Sequence, residues 1–92
     1  MADLAPHVGR AIRQLRESTG LSQEELAAEA GLHRTYISLV ERGRRNITVD
    51  ALSQIAEALG VYTSRLIADA EKDAAPAASS QSTQKARRRP RA

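Results

Sequence analysis

Glycines at positions 20, 31, 43 and 60 cut the first seventy residues into short runs, and within each run apolar side chains recur every three or four positions. That period belongs to amphipathic helices, and no stretch alternates as a half-buried strand does. The chain therefore reads as an all-α fold of short helices, each closed by a glycine.

The runs can be placed from their start and stop signals. Pro6 suits the first turn of a helix, where its missing N–H is not needed, and Val8, Ile12, Leu15 and Thr19 then share one face up to Gly20. In Ser22-Gln-Glu-Glu25 the serine hydroxyl can accept from the Glu25 N–H while the Glu25 carboxylate accepts from the Ser22 N–H, a capping box. It opens a second helix carrying Leu26, Ala27 and Ala30 on one side and stopping at Gly31. A third runs from Arg34 to Arg42, with Ile37 and Val40 on its buried side, and ends at Gly43. After the polar loop Arg44-Arg45-Asn46, Thr48 caps a fourth helix with Asp50 in its first turn. Val49, Leu52, Ile55, Ala56 and Leu59 form its apolar stripe, closed by Gly60. A short fifth helix opens at Tyr62 or Thr63 and holds Leu66, Ile67 and Ala70.

Composition changes after Asp73. Residues 1–73 carry nine Lys/Arg against eleven Asp/Glu, whereas residues 74–92 carry five basic residues and no acid, so the net +3 of the 92-residue chain resides in its end. Residues 1–73 are expected to form one folded domain. Residues 74–92 are Ala/Ser/Gln-rich, lack apolar periodicity and read as a disordered tail ending in the basic run Lys85, Arg87, Arg88, Arg89 and Arg91. Any nucleic-acid affinity in the folded part must come from where its arginines sit, since its bulk charge is slightly negative. There is no cysteine, and His7 and His33 lack the spacing of a ligand pair, so neither a disulfide nor a metal is expected. No run approaches the roughly 18 apolar residues that span a bilayer, and arginines interrupt every apolar stretch of the first twenty residues. The reading is of a soluble protein in the cytoplasm, with no cofactor and no small-molecule ligand.

The informative constellation lies in residues 22–42. Ala27 is small enough to let two helices approach, Gly31 can take the left-handed conformation of a sharp turn, and Ile37 fills the gap between the helices. The runs S-Q-E-E-L-A, A-G, Y-I-S-x-x-E-R-G and L-x-x-I-A-x-A-L-G-V follow in order, and over residues 8–68 the chain resembles the XRE family of helix-turn-helix proteins. That family includes Cro, lambda-type repressors and restriction-modification controllers, and R-T-Y-I-S and R-G-x-R-N look closest to the controllers. The resemblance implies a compact five-helix, lambda-repressor-like domain and a sequence-specific transcriptional regulator that binds double-stranded DNA.

It also implies that the third helix enters the major groove. Steps of 100° from Ile37 place Thr35, Ser38, Leu39 and Arg42 outward, flanked by Arg34 and Tyr36, with Glu41 turned inward. Base readout is assigned to Arg34, Thr35, Ser38 and Leu39, with Arg34 suited to guanine O6 and N7. Phosphate contacts are assigned to Gln23 at the start of the second helix, to His33, Tyr36 and Arg42, and to Arg45 and Asn46 in the following loop. His33 stands where the family often has Ser, Thr or Asp as the cap. Arg16 and Glu41, at the edges of their apolar stripes where the resemblance puts two helices in contact, are expected to form a partly buried ion pair.

Leu66 and Ile67 point about 100° apart, so both can hardly face one small core. Related proteins commonly dimerise through this end, and Leu66 and Ile67 are assigned to a homodimer interface. An antitoxin of the same fold, with a toxin protein as partner, is the competing reading. Catalysis is not expected, because Glu24, Glu25 and Glu29 are accounted for by capping and solvated helix faces.

Overall fold

The computed structural model describes residues 3–75. Five helices follow one another: α1 (Ala5–Thr19), α2 (Gln23–Ala30), α3 (Arg34–Glu41), α4 (Val49–Leu59) and α5 (Thr63–Ala74). No strand occurs among the described residues. α1 lies along α5 and crosses α3, while α2 packs on both α3 and α4. The space they enclose is filled by Ile12, Leu26, Ile37, Val40, Ile55 and Leu66, all fully buried. Because α1 and α5 are the first and last helices, the two ends of the folded chain brace each other.

Local chemistry sets the helix ends. Thr48 Oγ1 accepts from the Ala51 N–H at 3.0 Å, and Asp50 sits in the first turn of α4. Pro6 occupies the first turn of α1, whose leading N–H groups need no intrahelical partner. Four expectations need correction. Thr19 is exposed, its hydroxyl donating to the Arg16 carbonyl at 2.8 Å, because the buried face of α1 ends near Leu15. Val49 is 77% exposed: it is the first residue of α4 and projects before that helix meets the core. α3 closes one residue early, with Arg42 as its C-cap. α5 runs one residue further than expected, taking in Ala74, and the rest of the tail, residues 76–92, lies outside the described residues.

Gly9, which carries no turn signal, is a buried residue in the middle of α1. A Cβ there would lie against the Val40 carbonyl oxygen and 2.8 Å from that of Glu41. α1 and α3 therefore touch backbone to backbone, which only glycine allows. Gly43, at φ +73°, repeats the theme: a Cβ would lie 2.8 Å from Pro6 Cα. The start of α1 and the end of α3 are fitted to each other at two points.

A polar clasp joins α1 to α5. His7 Nδ1 lies 2.8 Å and Arg10 Nε 3.0 Å from Asp73 Oδ2. The hydrogen bond from His7 holds the Asp73 carboxyl below its ordinary value, with Arg10 adding to the effect against a desolvation that opposes it. A depressed carboxylate stabilises the fold above the ordinary carboxylate range, and that contribution is lost as pH falls through the lowered value. Asp73→Asn is accordingly expected to unfold at a modestly lower temperature than the parent at neutral pH, with the gap closing in acid. A gap that does not change with pH would assign Asp73 to packing instead.

Candidate nucleic-acid interface

The α2–turn–α3 unit is built from its caps. Ser22 Oγ accepts from the Glu25 N–H at 3.0 Å and Glu25 Oε1 accepts from the Ser22 N–H at 2.9 Å, closing the capping box. At the other end Gly31 has φ +73°, and the Leu32 N–H reaches back to the Ala27 carbonyl at 2.9 Å. Gln54 of α4 donates from Nε2 to the Ala30 carbonyl at 3.2 Å, so a neighbouring helix satisfies an acceptor left over at the end of α2. Ala27 and Ile37 are buried at the contact between the two helices.

α3 starts at Arg34, preceded by His33, which has extended backbone and makes no side-chain cap. Arg34, Thr35 and Arg42 are exposed, while Ser38, Leu39 and Tyr36 are half-buried. Arg42 folds along its own helix, with Nε 3.4 Å from the Ser38 carbonyl. The Arg45 guanidinium stands 5.6 Å from the centre of the Tyr36 ring, within cation–π range, so the loop after α3 rests on the helix it leaves. His33, Arg45 and Asn46 are exposed. Asn46 borders an apolar cleft lined by Leu4, Val8, Ile47, Val49, Leu52 and Ile67.

Arg16 and Glu41 meet. Arg16 Nε donates to Glu41 Oε2 at 2.6 Å and Nη2 to Oε1 at 3.1 Å, with the two side chains 11% and 3% exposed. The hydrogen bond to Glu41 raises the pKa of Arg16 from an already high value, so the guanidinium stays charged wherever the protein is folded. Its Nη1 donates to the Leu21 carbonyl at 2.8 Å, fixing the turn between α1 and α2.

Two site assignments change. Gln23 is not a free surface amide: its Nε2 donates to Glu41 Oε1 at 3.0 Å, which leaves one amide N–H for any other partner. Leu66 is fully buried in the core and is withdrawn from any interface, whereas Ile67 is half-buried beside Ile47 and Val49. Their adjacency showed that only one could face inward, and periodicity alone did not say which. Gly9, Gln54 and the partnership of Gln23 with Glu41 are not among the residues expected from the sequence to shape this site. An isolated glycine inside a helical run was the available signal for the first.

Two short helices joined at a glycine, the second carrying an exposed polar row, are the architecture of a DNA-binding helix-turn-helix unit. The chain belongs to the helix-turn-helix family of DNA-binding transcriptional regulators, of the Cro/C1 (XRE) type, whose family description matches residues 12–66. It is 50% identical over 60 residues to the control protein C.BamHI of Bacillus amyloliquefaciens, covering 64% of this chain and 74% of that protein. Among solved structures it is similar to the restriction-modification controller C.AhdI of Aeromonas hydrophila, with a TM-score of 0.67 at 42% identity over 72% of this chain and 98% of that one. It is similar too to the controller C.Esp1396I, solved as a tetramer on its natural 35-base-pair operator, with a TM-score of 0.71 at 34% identity over 79% and 96% of the two chains. No described helix is long and apolar enough to cross a membrane.

Proposed function

We propose that this regulator acts as a controller-type dimer that occupies a two-fold operator and reads base edges in the major groove with α3. One observation carries the reading: the only acid in α3, Glu41, is buried, so the outward face of that helix offers a guanidinium, hydroxyls and an aliphatic chain, with no carboxylate to repel phosphate. Arg34 and Thr35, at the exposed start of the helix, are the principal base readers, with Ser38 and Leu39 behind them. Leu39 suits a thymine methyl, and Arg34 has the fork for guanine. Gln23, His33, Tyr36, Arg42, Arg45 and Asn46 surround this row as phosphate contacts that fix the register. Gln23 contributes through its remaining amide N–H and the first N–H groups of α2.

The dimer face includes Ile67, together with the neighbouring Ile47 and the exposed Val49. C.Esp1396I binds its operator as a tetramer, which supports paired subunits here. Residues 1–73 constitute the DNA-binding domain. The protein works in the cytoplasm on the nucleoid and performs no catalysis, Glu24, Glu25 and Glu29 being taken up by the first turn and the solvated face of α2. The antitoxin alternative gains no support from the relatives, which are named as controllers and regulators.

Selection of bound sequences from random duplex DNA tests the proposal. The expected result is an inverted repeat whose half-sites lie about one helical turn apart. Recovery of a single unsymmetric site bound by one subunit would count against the dimer. Ile67→Lys is expected to leave the helical content intact while shifting sedimentation toward monomer.

A further inference from the structure

The Glu41 carboxylate does more than neutralise Arg16. An ionised carboxylate only accepts hydrogen bonds, so the Gln23 amide must turn its NH2 group, not its carbonyl, toward Glu41. The polarity of that amide is thus fixed by chemistry, with Nε2 at 3.0 Å from Glu41 Oε1. Glu41 is held in turn by two donors of Arg16, whose third donor is tied to the Leu21 carbonyl. Gln23 also lines a shallow cleft with Ser22, Glu24 and Arg34, at the start of α2 and beside the first residue of the reading helix. The amide is anchored from inside while forming part of that outer wall.

We propose that Glu41 is a positioning residue for operator binding: by gripping one N–H of Gln23 it holds the other for a duplex phosphate, and so ties that backbone anchor to α3. This rests on the phosphate role proposed for Gln23. Glu41 itself does not touch DNA; its 3% exposed side chain lies behind the amide it orients. The consequence is mechanical. Helix α3 cannot shift relative to the phosphate gripped by Gln23 without breaking a bond at its own last residue, so base reading and backbone register move together.

The test uses the full chain and a duplex selected from a random pool, with single phosphates replaced in turn by uncharged methylphosphonate. Among the sensitive positions, wild-type protein is expected to lose about tenfold in affinity at the phosphate that Gln23 grips in each half-site, the size of a hydrogen bond to a charged group. Gln23→Ala is expected to bind the unmodified duplex more weakly by a similar factor and to lose most of its sensitivity to that replacement, the backbone N–H groups of α2 keeping the remainder. Glu41→Gln, in which the inward group can no longer dictate the polarity of the amide, is expected to lose most of the sensitivity at that phosphate and keep it at the others. Undiminished sensitivity in folded Glu41→Gln would overturn the positioning role while leaving the Gln23 contact standing. An unchanged pattern in Gln23→Ala would overturn the contact itself and the positioning role with it. Should Glu41→Gln fail to fold, side-chain amide exchange in the wild-type protein decides: one Gln23 Nε2 proton protected in the free protein and the second only with duplex supports the proposal. Two freely exchanging protons in the free protein would refute it.

Discussion

Glu41→Ala is expected to lower the stability of the fold by roughly 3–5 kcal/mol, the cost of breaking a buried ion pair by removing one partner. The substitution leaves Arg16 with Nε and Nη2 stripped of their acceptors in a side chain only 11% exposed, and it frees the Gln23 amide as well. A domain of this size has about 5–15 kcal/mol in total, so a large share would go with one carboxylate. Arg13→Ala provides the comparison. Arg13 pairs with Glu17 at 3.1 Å, but the two side chains are 60% and 54% exposed, and such surface pairs contribute below about 1 kcal/mol. Denaturant unfolding of the two variants measures the contrast directly. If both lost the same small amount, the Arg16–Glu41 pair would be no more than a surface contact.

Gly9→Ala is expected to be comparably damaging, although the same change in an ordinary helix interior stabilises by roughly 0.5–1 kcal/mol. Here the added methyl would meet the carbonyl oxygens of Val40 and Glu41, which belong to backbone and cannot rotate away. α1 and α3 must separate, in a core packed as densely as an organic crystal. Overpacking of this kind costs about 1–3 kcal/mol and more where nothing yields, and about 3 kcal/mol is the value expected. The damage should extend to function, since the displaced segment is the end of the reading helix. Thermal unfolding and DNA affinity measured on one preparation check both halves. A variant as stable as the parent would mean that the two helices part at no cost.

These two residues also mark where sequence stops being informative. The boundaries of α2 and α4 are legible because they are local: Ser22 and Glu25 cap each other three residues apart, Thr48 accepts from the Ala51 N–H, and Gly31 and Gly60 close helices within their own turn, whereas α3 and α5 each end one residue from the expected place. Of the row that the wheel places outward on α3, Thr35 and Arg42 are exposed while Ser38 and Leu39 are half-buried, because neighbouring elements cover ground that a single-helix wheel does not represent. Val49 was misread because a helix wheel assigns a face to every residue, including the first, which has not yet reached the core. Leu66 and Ile67 could not be told apart, since which of two neighbours faces inward depends on how α5 is rotated against α1. Long-range partnerships are a different matter. His7 with Asp73, Gln54 with Ala30 and Gln23 with Glu41 join residues 66, 24 and 18 positions apart, and no local pattern announces any of them. The pairing of Arg16 with Glu41 was accessible only because family resemblance supplied the packing of α1 on α3.

Whether the start of α3 reads bases is decided by the affinity of Arg34→Ala for the selected operator and its single-base-pair variants. The expected loss is about 1–3 kcal/mol on the best site, with discrimination relaxed at one position of each half-site and retained elsewhere. A uniform weakening across all variants, with every base preference intact, would contradict it and place Arg34 on the phosphate backbone.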